Sequence, residues 1–391
     1  MAAQRRVLIV ADDLTGAMDS AGPFAARGAE TWVVAMPMRC DPALLESARV
    51  VSVNTETRHL PATEAAARVR EIVRHLGCER FNVVVKKIDS TLRGNVAAET
   101  LALMDASGRR EAVVAAAFPA QGRTVRDGRV LVDGKPLAET AFARDALSPP
   151  PLMPLQQVFA DAAAGLRVRV VAPADAFTGA TDIWIADSAS DADLSAIVKT
   201  FVSRTGRVLM VGSAGLTQAL ALACFDAGSQ PDRPRNIDGT IVFAVGSRAA
   251  RSAEQVEALV AEGHTEILRA PNGRLLANNI PLAKNIVLKT APGDIGNERD
   301  AESVAAELAR HAIEIANRTQ AQALVATGGD TAIAILAASD NPALQVLGDL
   351  MAGIPYARIT VSGKPLWLVT KAGGFGAPDT FRDVARGLRG G

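Results

Sequence analysis

The run Arg6-Val7-Leu8-Ile9-Val10, continuing into Ala11-Asp12-Asp13-Leu14-Thr15-Gly16, carries the reading of the fold. A short, fully apolar, β-branched run reads as a buried strand. The polar turn after it opens an alanine-rich segment that reads as a helix ending near Gly28. The same order of strand, turn and helix recurs down the chain. Residues 50–53 lead to a turn at 54–58 and a helix over 63–76, and residues 82–87 lead to Asp89-Ser90-Thr91 and a helix after Gly94. Residues 112–117 and 182–186 read as further strands, and 207–211 run into Gly212-Ser213-Ala214-Gly215 and another helix. Apolar strands alternating with helices predict an α/β protein whose mostly parallel sheet is covered on both faces.

One segment breaks the rhythm. Asp127-Gly128 and Asp133-Gly134 bracket a short strand and predict a hairpin insertion, and Pro149-Pro150-Pro151 marks a loop. Residues 226–239, with Gly228, Ser229, Pro231, Pro234 and Gly239, read as a linker. The alternation restarts after it, with strands at 240–245, 286–289, 323–326 and 366–369 and a long helix over 297–317. The expectation is two α/β domains, residues 1–230 and 240–391, each a mostly parallel sheet flanked by helices, with the hairpin in the first.

Composition excludes several classes. Lys+Arg and Asp+Glu are 42 each, and charge is interspersed. Neither a nucleic-acid backbone binder nor a polybasic membrane protein is expected. Aromatics are 4% of the chain, with Tyr356 the single tyrosine, too few for a base-stacking platform. No apolar stretch reaches the roughly 18 residues of a membrane span. Cys40, Cys78 and Cys224 form no paired motif, and the N-terminal run is too short for a signal peptide, so a soluble cytoplasmic protein is expected.

Chemistry is expected in the loops at strand ends, where helix N-termini offer unpaired N–H groups to anions. The second domain has three glycine loops: Gly246-Ser247, Gly328-Gly329-Asp330-Thr331, and Lys371-Ala372-Gly373-Gly374-Phe375-Gly376. Together they suit nucleotide phosphates. The Walker, dinucleotide, nucleophile-elbow and zinc-protease patterns are absent, and four scattered histidines (His59, His75, His264, His311) build no triad. The first domain has charged loops instead. Asp12-Asp13 exceeds what one helix N-cap needs. Lys86-Lys87-Ile88-Asp89-Ser90-Thr91-Leu92-Arg93-Gly94-Asn95 begins inside an apolar strand, and Arg58 and Arg123 lie in comparable loops. Such donors suit a small polyhydroxylated acid, with cations for its carboxylate and Asp and Ser for its hydroxyls. Zero net charge therefore excludes a large polyanion but not a small one.

These motifs also carry a likeness. Ala11–Ala17, Lys86–Asn95, Ala326–Ala332 and Lys371–Gly376 together resemble the four-carbon acid sugar kinases, long known only as a domain of unknown function. The resemblance implies an N-terminal sugar-acid-binding domain and a C-terminal ATP-binding domain. It further implies phosphorylation of a tetronate on its terminal (4-) hydroxyl with ATP and Mg²⁺. Leu14 stands where 3-oxo-tetronate members tend to have Phe, and Lys86–Gly94 looks more like the D-threonate or D-erythronate 4-kinases. A 3-oxo-tetronate kinase or a non-catalytic sugar-acid sensor is the alternative. By the likeness, Asp12, Arg58 and Lys87, Ile88, Asp89 and Ser90 hold substrate, while Ser247, the loop at Gly353, and Lys371–Gly374 hold ATP. Relatives usually have Pro before that Gly, where this chain has Ala352.

The mechanism this suggests has Arg58 and Lys87 on the substrate carboxylate, with Lys86 and Arg93 as further local cations. Asp89 and Ser90 take its hydroxyls, and Asp12 or Asp13 orients the terminal hydroxyl as base. Asp330 is a candidate metal or ribose contact. Closure about the linker is expected, and alanine-rich helices permit a homodimer.

Overall fold

In the computed structural model the opening run forms β1, Val7–Ala11, buried at all five positions. A strand covered on both faces shows no polar side, which is why its sequence does not alternate. The structure describes residues 5–145, 148–172, 175–204, 206–228, 233–234, 236–276, 279–290 and 301–390. The chain divides into two units, Met1–Ser229 and Gln230–Gly391.

In the first unit β1 is followed by α1 (Leu14–Ala25), β2 (Thr31–Val34), β3 (Val50–Asn54), α2 (Ala62–Leu76) and β4 (Val83–Lys87). Next come α3 (Val96–Ser107), β5 (Glu111–Ala115) and the excursion β6 (Arg123–Arg126), β7 (Arg129–Val132) and β8 (Lys135–Pro136). The unit continues through α4 (Leu155–Ala162), β9 (Val168–Val171), β10 (Ile183–Ala186), α5 (Asp191–Phe201), β11 (Val208–Gly212) and α6 (Ala214–Cys224). Its main sheet runs β2-β3-β1-β4-β11-β5-β10-β9, all parallel. The excursion β6-β7-β8 is antiparallel, as the Asp-Gly turns predict. The Asp187 carboxylate, just past β10, accepts the backbone N–H groups of Asp127 (2.6 Å) and Gly128 (2.9 Å) and ties the hairpin tip down.

Register decides where the chemistry can gather. Ala11 stands opposite Asn54 and Lys87, and Lys87 opposite Gly212. The loops after β1, β3, β4 and β11 therefore leave the sheet at one level.

The second unit holds β12 (Ile241–Val245), α7 (Ala250–Ala261), β13 (Thr265–Arg269), β14 (Asn285–Lys289), α8 (Ala301–Thr319) and β15 (Ala323–Thr327). It ends with α9 (Gly329–Ala338), β16 (Ala343–Met351), β17 (Ile354–Val361), β18 (Lys364–Lys371) and α10 (Thr380–Arg389). The sheet order is β13-β14-β12-β15-β18-β17-β16. Its first five strands are parallel and β18-β17-β16 is an antiparallel meander. Here the sequence reading needs correction, because it recognised only residues 366–369 as strand. β16 alternates half-buried with buried positions along its length, and the second half of β17 alternates buried with exposed ones, which is the period of a sheet with one covered face. Phe243, Tyr356, Phe381 and Leu388 pack in the core between this sheet and its helices. Val245, Thr327 and Lys371 stand in register, so the three glycine loops also emerge together.

The expected linker at 226–239 and the start of the expected helix at 297 lie partly outside the described residues. Among the described residues, no helix is long and apolar enough to cross a membrane.

Candidate functional site

At the strand-end level of the first unit, the two adjacent aspartates divide their tasks. Asp13 is the N-cap of α1: its Oδ1 accepts the Gly16 N–H at 2.8 Å, and its Oδ2 accepts from Arg58 Nη1 at 2.7 Å. Asp12 is buried and takes the other two arms of the guanidinium, Nε and Nη2, each at 2.9 Å. This is the planar fork that matches a carboxylate with two bonds. Arg58 arrives from the loop after β3. The Thr57 N–H donates to the Asp12 carbonyl (3.0 Å), and Asn95 Nδ2 donates to the carbonyls of Thr57 (3.1 Å) and Leu60 (2.9 Å). Burial pushes the Asp12 carboxyl up, but Arg58, Lys86 and Lys87 outweigh it and hold the carboxyl below the usual range.

Gly94 explains why the approach is possible. Its φ is +87°, and a Cβ there would stand 2.9 Å from Asp12 Oδ2. A side chain would strain the backbone and press on the fork.

The two lysines ending β4 point to opposite faces. Lys86 is buried and ion-paired to Glu99 of α3 at 2.8 Å. Lys87 donates to the Ile88 carbonyl at 3.1 Å, and among the described residues no carboxylate pairs with its ammonium. The next turn is organised by Asp89. It accepts from Arg93 Nη2 (2.8 Å), Arg93 Nε (3.1 Å), and the N–H (3.0 Å) and hydroxyl of Thr91. Burial raises the Asp89 carboxyl, and bonding to Arg93 with the Arg58 charge drives it far below its ordinary value. Arg93 also reaches Asp145 at 3.4 Å.

In the second unit the glycine loops knit into one floor. The Gly328 N–H donates to the Lys371 carbonyl at 3.0 Å. Gly373 lies against Ser247, whose Cβ would be 2.9 Å from a Cβ on the glycine. Ser252 donates to the Gly373 carbonyl (2.8 Å), and Gln255 donates to the carbonyls of Phe375 and Ala377 (2.9 Å each). Lys371 is buried and donates to the carbonyls of Ala372 (2.7 Å), Gly373 (3.0 Å) and Phe375 (3.0 Å). Burial, with the Arg251 charge adding to it, pushes its ammonium down to about 8. The N-terminus of α9 has Gly328 as N-cap and no side-chain cap, so its first N–H groups stay open to an anion.

The comparisons follow this division. Residues 7–220 match the family model described as a sugar-binding N-terminal domain, and residues 242–381 match that of a nucleotide-binding C-terminal domain. The chain is 33% identical over 413 residues to the D-threonate kinase of Bordetella bronchiseptica, covering 97% of each. It belongs to the four-carbon acid sugar kinases. The 3-oxo-tetronate kinase of Methylobacterium radiotolerans is 30% identical, over 95% of this chain and 96% of that one. A solved structure of a domain of unknown function from Bordetella bronchiseptica, a domain-swapped dimer with bound citrate, is 31% identical. It covers 99% of each chain with a TM-score of 0.51.

In this kinase Asp12, Asp13, Arg58, Lys87, Asp89, Ser90 and Arg93 lie on the loops at one end of the first sheet. Two expected residues do not present their side chains there. Lys86 is spent on Glu99 inside the fold, and the Ile88 side chain is buried, leaving its carbonyl to Lys87. Arg58 faces two carboxylates of the chain itself, not an open space for a ligand carboxylate. Arg123 stacks over Phe142 at 5.4 Å. Ser247, Gly328, Gly329, Asp330, Thr331, Lys371, Ala372, Gly373, Gly374, Phe375 and Gly376 line the loops of the second sheet, and Gly353, in the β16–β17 turn, abuts Phe375. Asp330 is exposed in the first turn of α9.

Glu99 escaped the sequence reading. The signal available was a single acid in an otherwise apolar helical stretch, Val96-Ala97-Ala98-Glu99-Thr100-Leu101. Asp19 was missed in the same way, one acid within the small and apolar residues of α1.

Proposed function

We propose that this kinase transfers the terminal phosphate of ATP to the 4-hydroxyl of a four-carbon sugar acid, D-threonate or D-erythronate. The likeness to a D-threonate kinase over 97% of both chains carries the reading. The cluster of Asp12, Arg58 and Lys87 at one strand end supports it.

Phosphoryl transfer asks mostly for positioning and charge stabilisation. The hydroxyl oxygen forms the new bond to phosphorus, the bond to the ADP oxygen breaks, and the hydroxyl proton leaves. Asp12 is the group that orients this hydroxyl, because Arg58 keeps it ionised and fixes its plane. Being weakly basic, it acts as acceptor and proton sink late in the transfer rather than by prior deprotonation. Asp13 serves the helix cap and the far side of Arg58. Lys87, whose ammonium pairs with no carboxylate among the described residues, takes the substrate carboxylate. Asp89 shapes the turn that carries Ser90, whose hydroxyl takes a substrate hydroxyl.

The nucleotide phosphates would sit on the glycine floor, where side chains at Gly246 or Gly373 would collide with Thr331 or Ser247. Mg²⁺ typically keeps its waters and one or two carboxylates. Exposed Asp330 beside that floor fits such a ligand, and the ion would neutralise charge on the transferring phosphoryl group. A cytoplasmic homodimer is the proposed form, on the dimer of the Bordetella relative and the three free cysteines.

An ADP-release assay over D-threonate, D-erythronate and 3-oxo-tetronate, with phosphorus NMR of the product, tests the reading. A 4-phosphate of threonate or erythronate is expected. Turnover restricted to the 3-oxo acid would move the kinase to that specificity. Sugar-acid binding without ADP release would leave a sensor.

A further inference from the structure

Behind Asp12 lies a buried ion pair that the proposed chemistry does not use. Lys86 and Glu99 are each 1% exposed and meet at 2.8 Å. The Lys86 ammonium also donates to the carbonyls of Lys87 (2.9 Å) and Val10 (3.4 Å). Burial pushes the Glu99 carboxyl up, the Lys86 charge pulls it down, and the Asp12 charge adds to the rise. A buried pair of this kind adds little stability over apolar residues of the same volume. Its location suggests another use. Lys86 precedes Lys87 at the end of β4, and Val10 precedes the Asp12 loop. Through Lys86, Glu99 is therefore tied to the two strands, β1 and β4, that lead into the Asp12 loop and present Lys87.

We propose that Glu99 is a positioning residue: through Lys86 it holds the Asp12–Arg58 fork in place and reserves Asp12 for Arg58, without itself touching substrate. The inference rests on Asp12 being the hydroxyl-orienting group. The charges around Asp12 are Asp13 beside it, Arg58 from the loop after β3, Lys86 and Lys87 from β4, and Glu99 from α3. Asp19 lies on α1, and the Asp89–Arg93 pair lies on the turn after β4. Glu99 balances Lys86. When that balance is removed, Lys86, whose charge already acts on Asp12, turns to that carboxylate and competes with Arg58.

The test uses the full chain and three variants: Glu99→Gln, Lys86→Met, and the double variant K86M/E99L, which replaces the pair by apolar groups. The double variant is expected to keep the wild-type melting temperature within a few degrees while kcat falls about 10- to 100-fold with little change in KM. The acid limb of kcat/KM should move to lower pH in Glu99→Gln and to higher pH in Lys86→Met. The nitrogen-15 NMR signal of Arg58 Nε–H, which needs no turnover, should lose its protection from exchange in Glu99→Gln and in the double variant. A folded double variant with wild-type kcat and pH profile would reduce the pair to core filling, as would an unchanged Arg58 signal. If the wild-type chain turns over no tetronate, the functional reading fails, and the Arg58 signal alone still decides whether Glu99 holds the fork.

Discussion

Arg58 binds Asp12 through two parallel bonds of 2.9 Å and reaches Asp13 with a third of 2.7 Å. One guanidinium thus sets the plane of one carboxylate and tethers its neighbour. The neighbour also caps a helix, so the fork is fastened to α1 as well as to β1 and the loop after β3. A lysine could not do this, because a point charge has no fixed plane.

The division of tasks between the two aspartates predicts different outcomes for the same chemical change. Asp13→Asn keeps an oxygen for the Gly16 N–H but turns its NH2 towards Arg58 Nη1, so the melting temperature should stay near wild type while kcat falls by less than about tenfold. Asp13→Ala loses the cap at about 1 kcal/mol. Asp12→Asn leaves Arg58 with one anion and removes the acceptor for the hydroxyl, so kcat should fall about 100-fold or more with the fold intact. Steady-state kinetics beside thermal melts separate the cases. Equal losses in Asp12→Asn and Asp13→Asn would overturn the assignment.

Asp19 predicts a stability effect with a defined sign. Burial raises its carboxyl to about 6, against the opposing charge of Lys87 and with that of Asp13. The unfolded chain releases this proton near 3.8, so between 3.8 and about 6 the folded state binds more protons. Its contribution to stability is therefore neutral below 3.8 and becomes increasingly unfavourable up to about pH 6. Asp19→Asn should stabilise the protein by about 1–2 kcal/mol at pH 8, partial exposure included, and by almost nothing at pH 4. Urea unfolding at the two pH values measures this. A pH-independent gain would mean packing rather than charge.

The alternation of apolar runs and polar turns made the parallel strands and both loop clusters legible in the sequence, because strand, turn and helix in a doubly covered sheet are local signals. The β16–β17 meander was not read, since its alternation is faint beside its turn residues and its pairing is set by neighbours distant in the chain. Charged loop residues were visible as types, but their partners were not. Lys86 and Lys87 are adjacent in sequence, and only the pleat and the packing of α3 send one to Glu99 and leave the other, among the described residues, without a carboxylate. The same applies to Arg58, whose engagement with Asp12 depends on the register of β1 against β3 and on the bare Cα of Gly94.

The contact between Gly373 and Ser247 predicts a nucleotide-binding defect from a single methyl group. A Cβ on Gly373 would stand 2.9 Å from the Ser247 Cβ and closer still to its hydroxyl, so one loop must move. Gly373→Ala should raise KM for ATP about tenfold, with KM for the sugar acid unchanged and melting temperature nearly so. Adding Ser247→Gly removes the collision and should recover part of the loss. A double variant no better than Gly373→Ala would show that the glycine is needed for another reason.

Lys371 predicts two pH dependences of opposite direction. Its folded value is about 8 because burial, and then Arg251, disfavour the charge. Below that pH the ammonium satisfies the carbonyls of Ala372, Gly373 and Phe375 together. A neutral amine has only two donors, so raising the pH through about 8 releases one carbonyl and loosens the loop that carries Gly373. KM for ATP should therefore climb with a midpoint near pH 8. Stability should move the other way. The unfolded chain keeps this proton up to about 10.5, so between about 8 and 10.5 it binds more protons than the folded chain, and unfolding free energy gains with pH over that window. The comparison is with Lys371→Met, in urea unfolding and ATP titrations at pH 7, 8.5 and 10. The wild type should gain stability relative to the variant as pH rises while losing its advantage in ATP affinity. Parallel curves for the two proteins in both measurements would remove Lys371 as the tie of the nucleotide loop.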